Sequence, residues 1–472
     1  MKQTGLVIGG GLSGLFCAGF LALLGYRVEL FEAAPRLAPV VRGFWRDGWY
    51  FDTGFHYTSG LGEGGILARV FRFLGIADAL QVVRLNPQGF DGVRFKDGEE
   101  FLFPAEVSEL RRGLAERFPA DAEGIGAFFN QIDRVCNGLP MLKLKPRSVP
   151  DAEVENAWRC SLQTVINKHI RDPRLGRLLS LHCLLHGVAP EHVPFAVHAG
   201  VAGLYYRGAH TLRGGGERLV EVLRATLLSL GVNVHCNAQV TAIKLRADRS
   251  IDGVCLQDGR EFVGRHCIAT LHPHALPGLL PDKALRPIYI RRLRSLQSSG
   301  SACCLFGYPK RAIPQLEGRN LYLEFDSANG QAPIYLTRGS GEAHSGVIAI
   351  CPEVETDWNI PDYRERKRQR LVEIQQAIEC HSPNLARDIC WVDGGTPKTF
   401  QRYANAPVAG LYGAAHCLDQ VNPQPRTRVE GLFLAGQAVV APGLLGTALS
   451  AFWACQEMCG DQRLREGLMT CQ

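Results

Sequence analysis

Three glycines, Gly9, Gly11 and Gly14, stand in G-x-G-x-x-G spacing behind the apolar run Leu6–Ile8, and Glu32 follows 18 residues after the last of them. Each position has a physical job. The first glycine makes a tight turn, the second lets backbone approach a pyrophosphate, and the third lets a helix pack on a strand. A helix beginning at Leu12 and Ser13 offers unpaired N–H groups and a positive dipole end to phosphate. Glu32, with Ala33 beside it, is placed to accept hydrogen bonds from ribose hydroxyls, and an acid here argues against a 2′-phosphate. A glycine triplet alone is a weak signal. Between a strand and a helix, with the acid in place, it predicts a bound dinucleotide.

These residues need particular elements around them. The pattern predicts a buried strand at Leu6–Ile8, an apolar helix to Gly25, and a second strand, Arg27–Phe31, ending at Glu32. The stretch Leu6–Leu24 is apolar enough to suggest a signal sequence. The glycines break it, no basic region precedes it, and no small-residue cleavage site follows. No other apolar run reaches the length of a membrane span, so no transmembrane helix is expected.

The chain has 472 residues, 46% hydrophobic and 21% charged, with a net charge of +6. That is an ordinary globular composition with room for two large domains. The mild charge gives no reason to expect nucleic acid as a partner. Sixteen cysteines are scattered without a CxxC pair, which predicts reduced thiols and a cytoplasmic setting. His182 and His186 have helical i, i+4 spacing, but no third ligand is evident, so no metal is expected.

The chain then divides. Residues 1–75, 210–283 and 421–472 carry dinucleotide-type patterning. The second piece opens with Arg213-Gly214-Gly215-Gly216-Glu217-Arg218-Leu219, a helical stretch over Leu219–Leu230, and short strands at 232–235, 240–244, 253–257 and 266–270. The third has a strand at Leu432–Ala435, a glycine-rich loop and a final helix. Residues 76–209 are rich in helical patterning, for example Val107–Phe118 and Ala122–Val135. Residues 284–420 mix strands with a charged helix around Arg364–Glu379. The arrangement predicts an α/β fold: a Rossmann-type domain built from three chain segments, with an inserted α+β domain that binds the substrate.

Two elements are more specific: Phe51-Asp52-Thr53-Gly54-Phe55-His56-Tyr57, and the stretch from Leu434 through Gly436-Gln437 to Gly443-Leu444-Leu445-Gly446. With Arg213–Leu219 they resemble the FAD-dependent phytoene desaturase superfamily, nearest in appearance to its carotenoid isomerase and retinol saturase branch. The resemblance covers about half of the chain. It implies FAD, with Asp52, Thr53, Gly54 and His56 beside the isoalloxazine and Val240 on the strand that passes the adenine. It also implies flavin contact by Gly436, Gln437, Leu444, Leu445 and Thr447, where a helix N-terminus would stabilise negative charge on the ring. His56 is the candidate catalytic residue, as a hydrogen-bond partner of the flavin edge or a proton donor. Three departures stand out. Where the family has Gly-Gly, this chain has Ala38, Pro39 and Val40, so Arg36 or Arg42 would make the phosphate contact instead. Gln437 is the saturase-branch residue. The chain is also shorter than the family's usual length and lacks a targeting extension.

The resemblance implies an oxidoreductase acting on a carbon–carbon bond of an apolar isoprenoid or polyene, by desaturation, saturation or cis–trans isomerisation. Two other readings compete: an amine oxidase-like reaction on a C–N bond, and a flavin-binding scaffold without turnover. Amine oxidases of this type often tether flavin through a cysteine near the C-terminal loop. No cysteine lies between Gln437 and Ala454, so non-covalent FAD is expected. One dinucleotide fingerprint leaves the electron partner open. Trp158, Phe195, Tyr205 and Phe452 are candidate walls of an apolar tunnel or, the commoner fate of such residues, core. The stretch from Gly138 to Arg147 alternates apolar and basic residues, as a strip resting on a bilayer surface would.

Overall fold

The computed structural model describes residues 2–144, 151–323, 333–339, 344–353, 357–460 and 462–471. Thr4–Ile8 is the middle strand of a five-stranded parallel sheet. Its neighbours are Arg27–Phe31 on one side and His266–Ala269 on the other; Asn233–His235 and Leu432–Leu434 form the edges. All three dinucleotide-type segments therefore contribute strands to one sheet. The central strands read as continuous apolar runs because both faces are covered. Helices Leu12–Leu23, Gly215–Ser229 and Gly443–Cys459 pack on one face. The antiparallel strands Val240–Leu245, Ile251–Leu256 and Glu261–Val263 cover the other.

A second, seven-stranded mixed sheet takes its strands from residues 91–103 and 301–395, in both insertions. Asp91–Arg94 pairs in parallel with Asn320–Leu323, which joins the two insertions into one sheet. Helices Ala122–Gly138 and Phe195–Tyr205 pack over one side, and Tyr363–His381 packs against the other. The α/β architecture matches the expectation from sequence, and most elements fall within a residue or two of it. The first helix stops at Leu23 rather than Gly25, because Gly25 adopts φ +88°, a left-handed geometry that ends a helix.

All sixteen cysteines are free thiols. Among the described residues no helix is long and apolar enough to cross a membrane. The interfacial strip is described only to Leu144; Lys145, Pro146 and Arg147 lie outside the described residues. In the described part the apolar side chains turn inward: Leu139 and Leu144 are buried, and Met141 and Leu142 line an internal cavity.

Candidate active site

The groove above the parallel sheet is shaped by atoms that are missing. A Cβ on Gly14 would lie 1.9 Å from the Gly9 carbonyl oxygen, so only glycine lets this helix approach this strand. Gly9 itself sits at φ +103°. A Cβ on Gly11 would meet nothing within 4 Å, so the space above Gly11 is open. The first-turn N–H groups at Leu12 and Ser13 have no intrahelical acceptor and face that end of the helix. Thr270, following the strand His266–Ala269, donates its hydroxyl toward the Ile8 and Gly9 carbonyls at 3.0 and 3.1 Å.

Glu32 has a structural task of its own. Its carboxylate accepts the Gly10 N–H at 2.7 Å and the Ala34 N–H at 2.8 Å. It thereby holds the glycine turn against the end of the second strand, next to the exposed Ala33.

The loop after Glu32 explains the first departure. Ala38 takes φ +46°, the left-handed region where glycine is usual, and its N–H donates to the Gly10 carbonyl at 2.9 Å. Arg42 forms an ion pair with Glu217, its Nε 3.2 Å from the carboxylate, and Arg36 reaches the same carboxylate at 3.3 Å. The two arginines proposed for phosphate thus converge on the acid of the Arg213–Leu219 motif. That motif's glycines have a matching reason: a Cβ on Gly216 would lie 1.8 Å from the Val41 carbonyl oxygen.

Asp52 is fully buried and accepts the Gly216 N–H at 3.4 Å. Beside it the Tyr50 hydroxyl donates to the Arg42 carbonyl at 2.6 Å, and burial pushes this phenol well above its ordinary pKa. Thr53 donates to the Val40 carbonyl at 2.6 Å, and a Cβ on Gly54 would crowd that same oxygen. Gly54 leaves an exposed, side-chain-free surface toward the groove. His56 is half-buried, with Nδ1 shielded and without a partner among the described residues. Desolvation lowers its pKa to about 4, so the imidazole is neutral near pH 7.

The C-terminal segment closes the groove. Gly436 adopts φ +130° and donates its N–H to Ser450 Oγ at 2.9 Å. Gln437 uses its side-chain oxygen to accept the Gly443 N–H at 3.0 Å, fixing the loop into the final helix. Its carbonyl accepts His416 Nε2 at 2.7 Å. A Cβ on Gly446 would lie 2.1 Å from the Ala441 carbonyl oxygen, and Thr447 caps inward onto the Leu444 carbonyl. Val240 is buried at the start of its strand, next to the antiparallel partner Leu256.

An apolar cavity adjoins this loop, with about 620 Å³ of atom-free space, solvent at its mouth included. Thr58, Ser59, Gly443–Gly446, Trp158, Val197 and Tyr205 are among the residues that line it. Among the described residues, every one that lines it is uncharged. Trp158 and Tyr205 thus line it as expected from sequence, whereas Phe195 and Phe452 are buried in the core, where large aromatics gain most from burial.

Sequence reasoning missed the polar cluster behind that cavity. Asp91, fully buried, accepts hydrogen bonds from the Tyr57 hydroxyl at 3.0 Å, the Asn320 amide at 2.7 Å and His182 Nε2 at 2.9 Å. The Tyr57 and Tyr322 hydroxyls are 3.1 Å apart, and Tyr205 donates to the Tyr57 carbonyl at 3.2 Å. Burial holds these phenols above their ordinary pKa. The available signal was one acid, Asp91, directly after Phe90 in an apolar strand. The pairing of His182 with His186 is corrected. His182 bonds Asp91, and the segment Leu181–Leu185 is 3₁₀ rather than α-helical, so the two rings do not share a face. His186 meets Cys183 and His198 instead, which supplies the third donor that the spacing did not reveal.

The residues present fit FAD: a cradle that side chains would fill, an acid at the ribose position, a bare Gly54 surface and an unpaired His56 nitrogen. The fold and groove define an FAD-dependent oxidoreductase. A family model described as flavin containing amine oxidoreductase matches residues 12–458, and the chain belongs to that family. It is 24% identical to the rat (Rattus norvegicus) all-trans-retinol 13,14-reductase, over 99% of this chain and 86% of that protein. It is 23% identical to prolycopene isomerase 2 of an Oncidium hybrid cultivar, over 98% of this chain and 84% of that one. Among solved structures, an oxidoreductase from Methanosarcina mazei aligns with a TM-score of 0.71 at 17% identity, covering 95% of this chain and 98% of that one.

Proposed function

We propose that this flavoenzyme acts on carbon–carbon double bonds of an extended apolar polyene, by saturation or by cis–trans isomerisation. The observation that carries this reading is the cavity beside the Gln437–Thr447 loop, whose lining among the described residues has no charged side chain. A protonated amine would be desolvated there without an anion to offset it. The curated relatives named for retinol reduction and prolycopene isomerisation support the same substrate class.

Bound non-covalently, FAD would supply the hydride chemistry. The chain's own residues would hold and shield it. The first turn at Gly11–Ser13 binds the pyrophosphate, Glu32 and Ala33 the ribose, and Val240 the adenine edge. Arg36 and Arg42, steadied by Glu217, lie beside the phosphates. Asp52, Thr53 and Gly54 set the flat surface against the ring, with Gly436, Gln437, Leu444, Leu445 and Thr447 on its other edge. His56, held neutral by burial, donates or accepts one hydrogen bond at the ring edge. Peripheral contact with a membrane would deliver so apolar a substrate; the electron donor stays open.

The test is anaerobic. Flavin-reduced protein is mixed with all-trans-retinol or with prolycopene; in a separate arm, protein carrying oxidised flavin is mixed with putrescine. Saturation adds two hydrogens to the product mass and reoxidises the flavin. Isomerisation leaves mass and flavin state unchanged while the polyene absorption shifts. Flavin bleaching by the diamine alone would overturn the reading in favour of amine oxidation, and no response to any of the three would favour a scaffold.

A further inference from the structure

Behind the cavity wall, three metal-ligating side chains point at one another. Cys183 belongs to the short segment Leu181–Leu185, His186 follows it, and His198 lies on the helix Phe195–Tyr205. Their donor atoms all fall within 4.8 Å of one another. His186 Nε2 is 3.2 Å from His198 Nδ1, and Cys183 Sγ is 4.0 Å from the same nitrogen. Zinc takes thiolate and imidazole ligands at about 2.3 and 2.0 Å in tetrahedral geometry. Ligands at those lengths stand about 3.3 Å apart for two nitrogens and about 3.6 Å for nitrogen and sulfur, by the same geometry. The His186–His198 and Cys183–His198 separations lie within about 0.4 Å of that geometry, and Cys183 and His186, within 4.8 Å of each other, would close further on the ion.

His186 and His198 are 2% and 0% exposed, and their inner nitrogens, His186 Nε2 and His198 Nδ1, face each other beside Cys183 Sγ, so three ligating atoms converge in a space closed to bulk solvent.

We propose that Cys183, His186 and His198 form a zinc site, with a fourth position left to water. Zinc binds as the thiolate, and the Cys183 proton leaves to solvent. The ion pins the Leu181–Leu185 segment to the helix Phe195–Tyr205. Leu185, Ala196 and Val197, neighbours of the ligands in sequence, line the cavity, so the ion braces one of its walls. Its position also touches the flavin side: His186 lies within electrostatic reach of His416, whose ring bonds the Gln437 carbonyl.

The test uses untagged, FAD-loaded protein, since a polyhistidine tag would bind zinc itself. Elemental analysis after gel filtration should find about one zinc per flavin, the ratio of a single structural-type site. Removal of zinc and addition of Co²⁺ should give d–d bands to the red of the flavin absorption, intense as for a four-coordinate cobalt–thiolate site. Cys183→Ser and His198→Ala should lose zinc while retaining flavin; Cys380→Ser, at an exposed cysteine, should lose neither. Zinc well below one per flavin with no cobalt bands overturns the site. So does stoichiometric zinc in Cys183→Ser. If the variants fail to fold, the cobalt spectrum of the wild-type protein decides alone. Zinc content reads out whether or not a polyene turns over.

Discussion

The groove over the parallel sheet and the polar cluster in the inserted half are built by opposite means. The groove is backbone: Gly9, Gly14, Gly216 and Gly446 bring main chain together where any side chain would collide. The cluster is side chains: Asp91 gathers Tyr57, His182 and Asn320, the last of them 229 residues from it in sequence. A site of the first kind is intolerant of added atoms. One of the second kind is intolerant of lost ones, because each buried donor needs its acceptor.

The largest expected effect is an addition. In Gly14→Ala the methyl group meets the Gly9 carbonyl oxygen, and both atoms belong to packed backbone. The protein should be recovered without flavin, read as the flavin-to-protein absorbance ratio. Gly11→Ala has open space around it and should fold normally with weaker FAD binding. Equal behaviour of the two variants would break the contrast.

Removal on the other side comes next. Asp91→Ala strands three buried donors, and at about 1–3 kcal/mol each the loss should be about 3 kcal/mol or more. Asp91→Asn, which keeps one acceptor oxygen, should lose less. Denaturant unfolding measures both; an unchanged midpoint for Asp91→Ala would show that the cluster does not hold the inserted half.

Glu32→Ala should weaken FAD by about ten- to hundredfold, the worth of a charge-assisted hydrogen bond of about 1.5–3 kcal/mol. Because Glu32 also accepts the Gly10 and Ala34 N–H groups, Glu32→Gln should fall between wild type and Ala. A dissociation constant that does not move in Glu32→Ala would remove the acid from the ribose site.

A smaller effect follows pH. Burial lowers His56 and His272 to about 4, so between about pH 4 and 6.5 the unfolded chain binds protons that the folded one refuses. Their contribution to stability is complete above pH 6.5, declines as pH falls, and levels off below pH 4. The fall in melting temperature across that window should be shallower in a His56→Ala/His272→Ala double variant; an equally steep fall in both proteins would show that other groups dominate. The smallest effect is on turnover. A neutral His56 that only orients FAD should, as Ala, keep the flavin bound, shift its spectrum and slow turnover less than about tenfold. A loss of about 10²–10⁴-fold would instead mark proton delivery.

Much of the groove was legible because its requirements are local and steric. Glycine spacing, an acid at a strand end and an apolar run between them constrain a few neighbouring residues, so Gly9 to Glu32 could be read without any long-range contact. The three sheet segments were legible for a similar reason, through periodicity. The role of Glu217 was not, although its motif was visible: its partners Arg36 and Arg42 lie 181 and 175 residues away. Val40 likewise looked like a lost glycine, yet its carbonyl is the surface against which Thr53 and Gly54 pack.

Residue order alone thus specified the kind of backbone that a dinucleotide needs, the strands and helices that carry it, and a free cysteine set. The folded chain decided which side chains meet. His182 went to Asp91 and His186 to Cys183 and His198 because the segment between them turned as 3₁₀, a rotation that spacing does not encode. Trp158 and Tyr205 reached a cavity while Phe195 and Phe452 reached the core, although all four are aromatic residues in apolar surroundings. Steric limits act between neighbours and leave their mark in sequence; burial and pairing depend on the path of the whole chain.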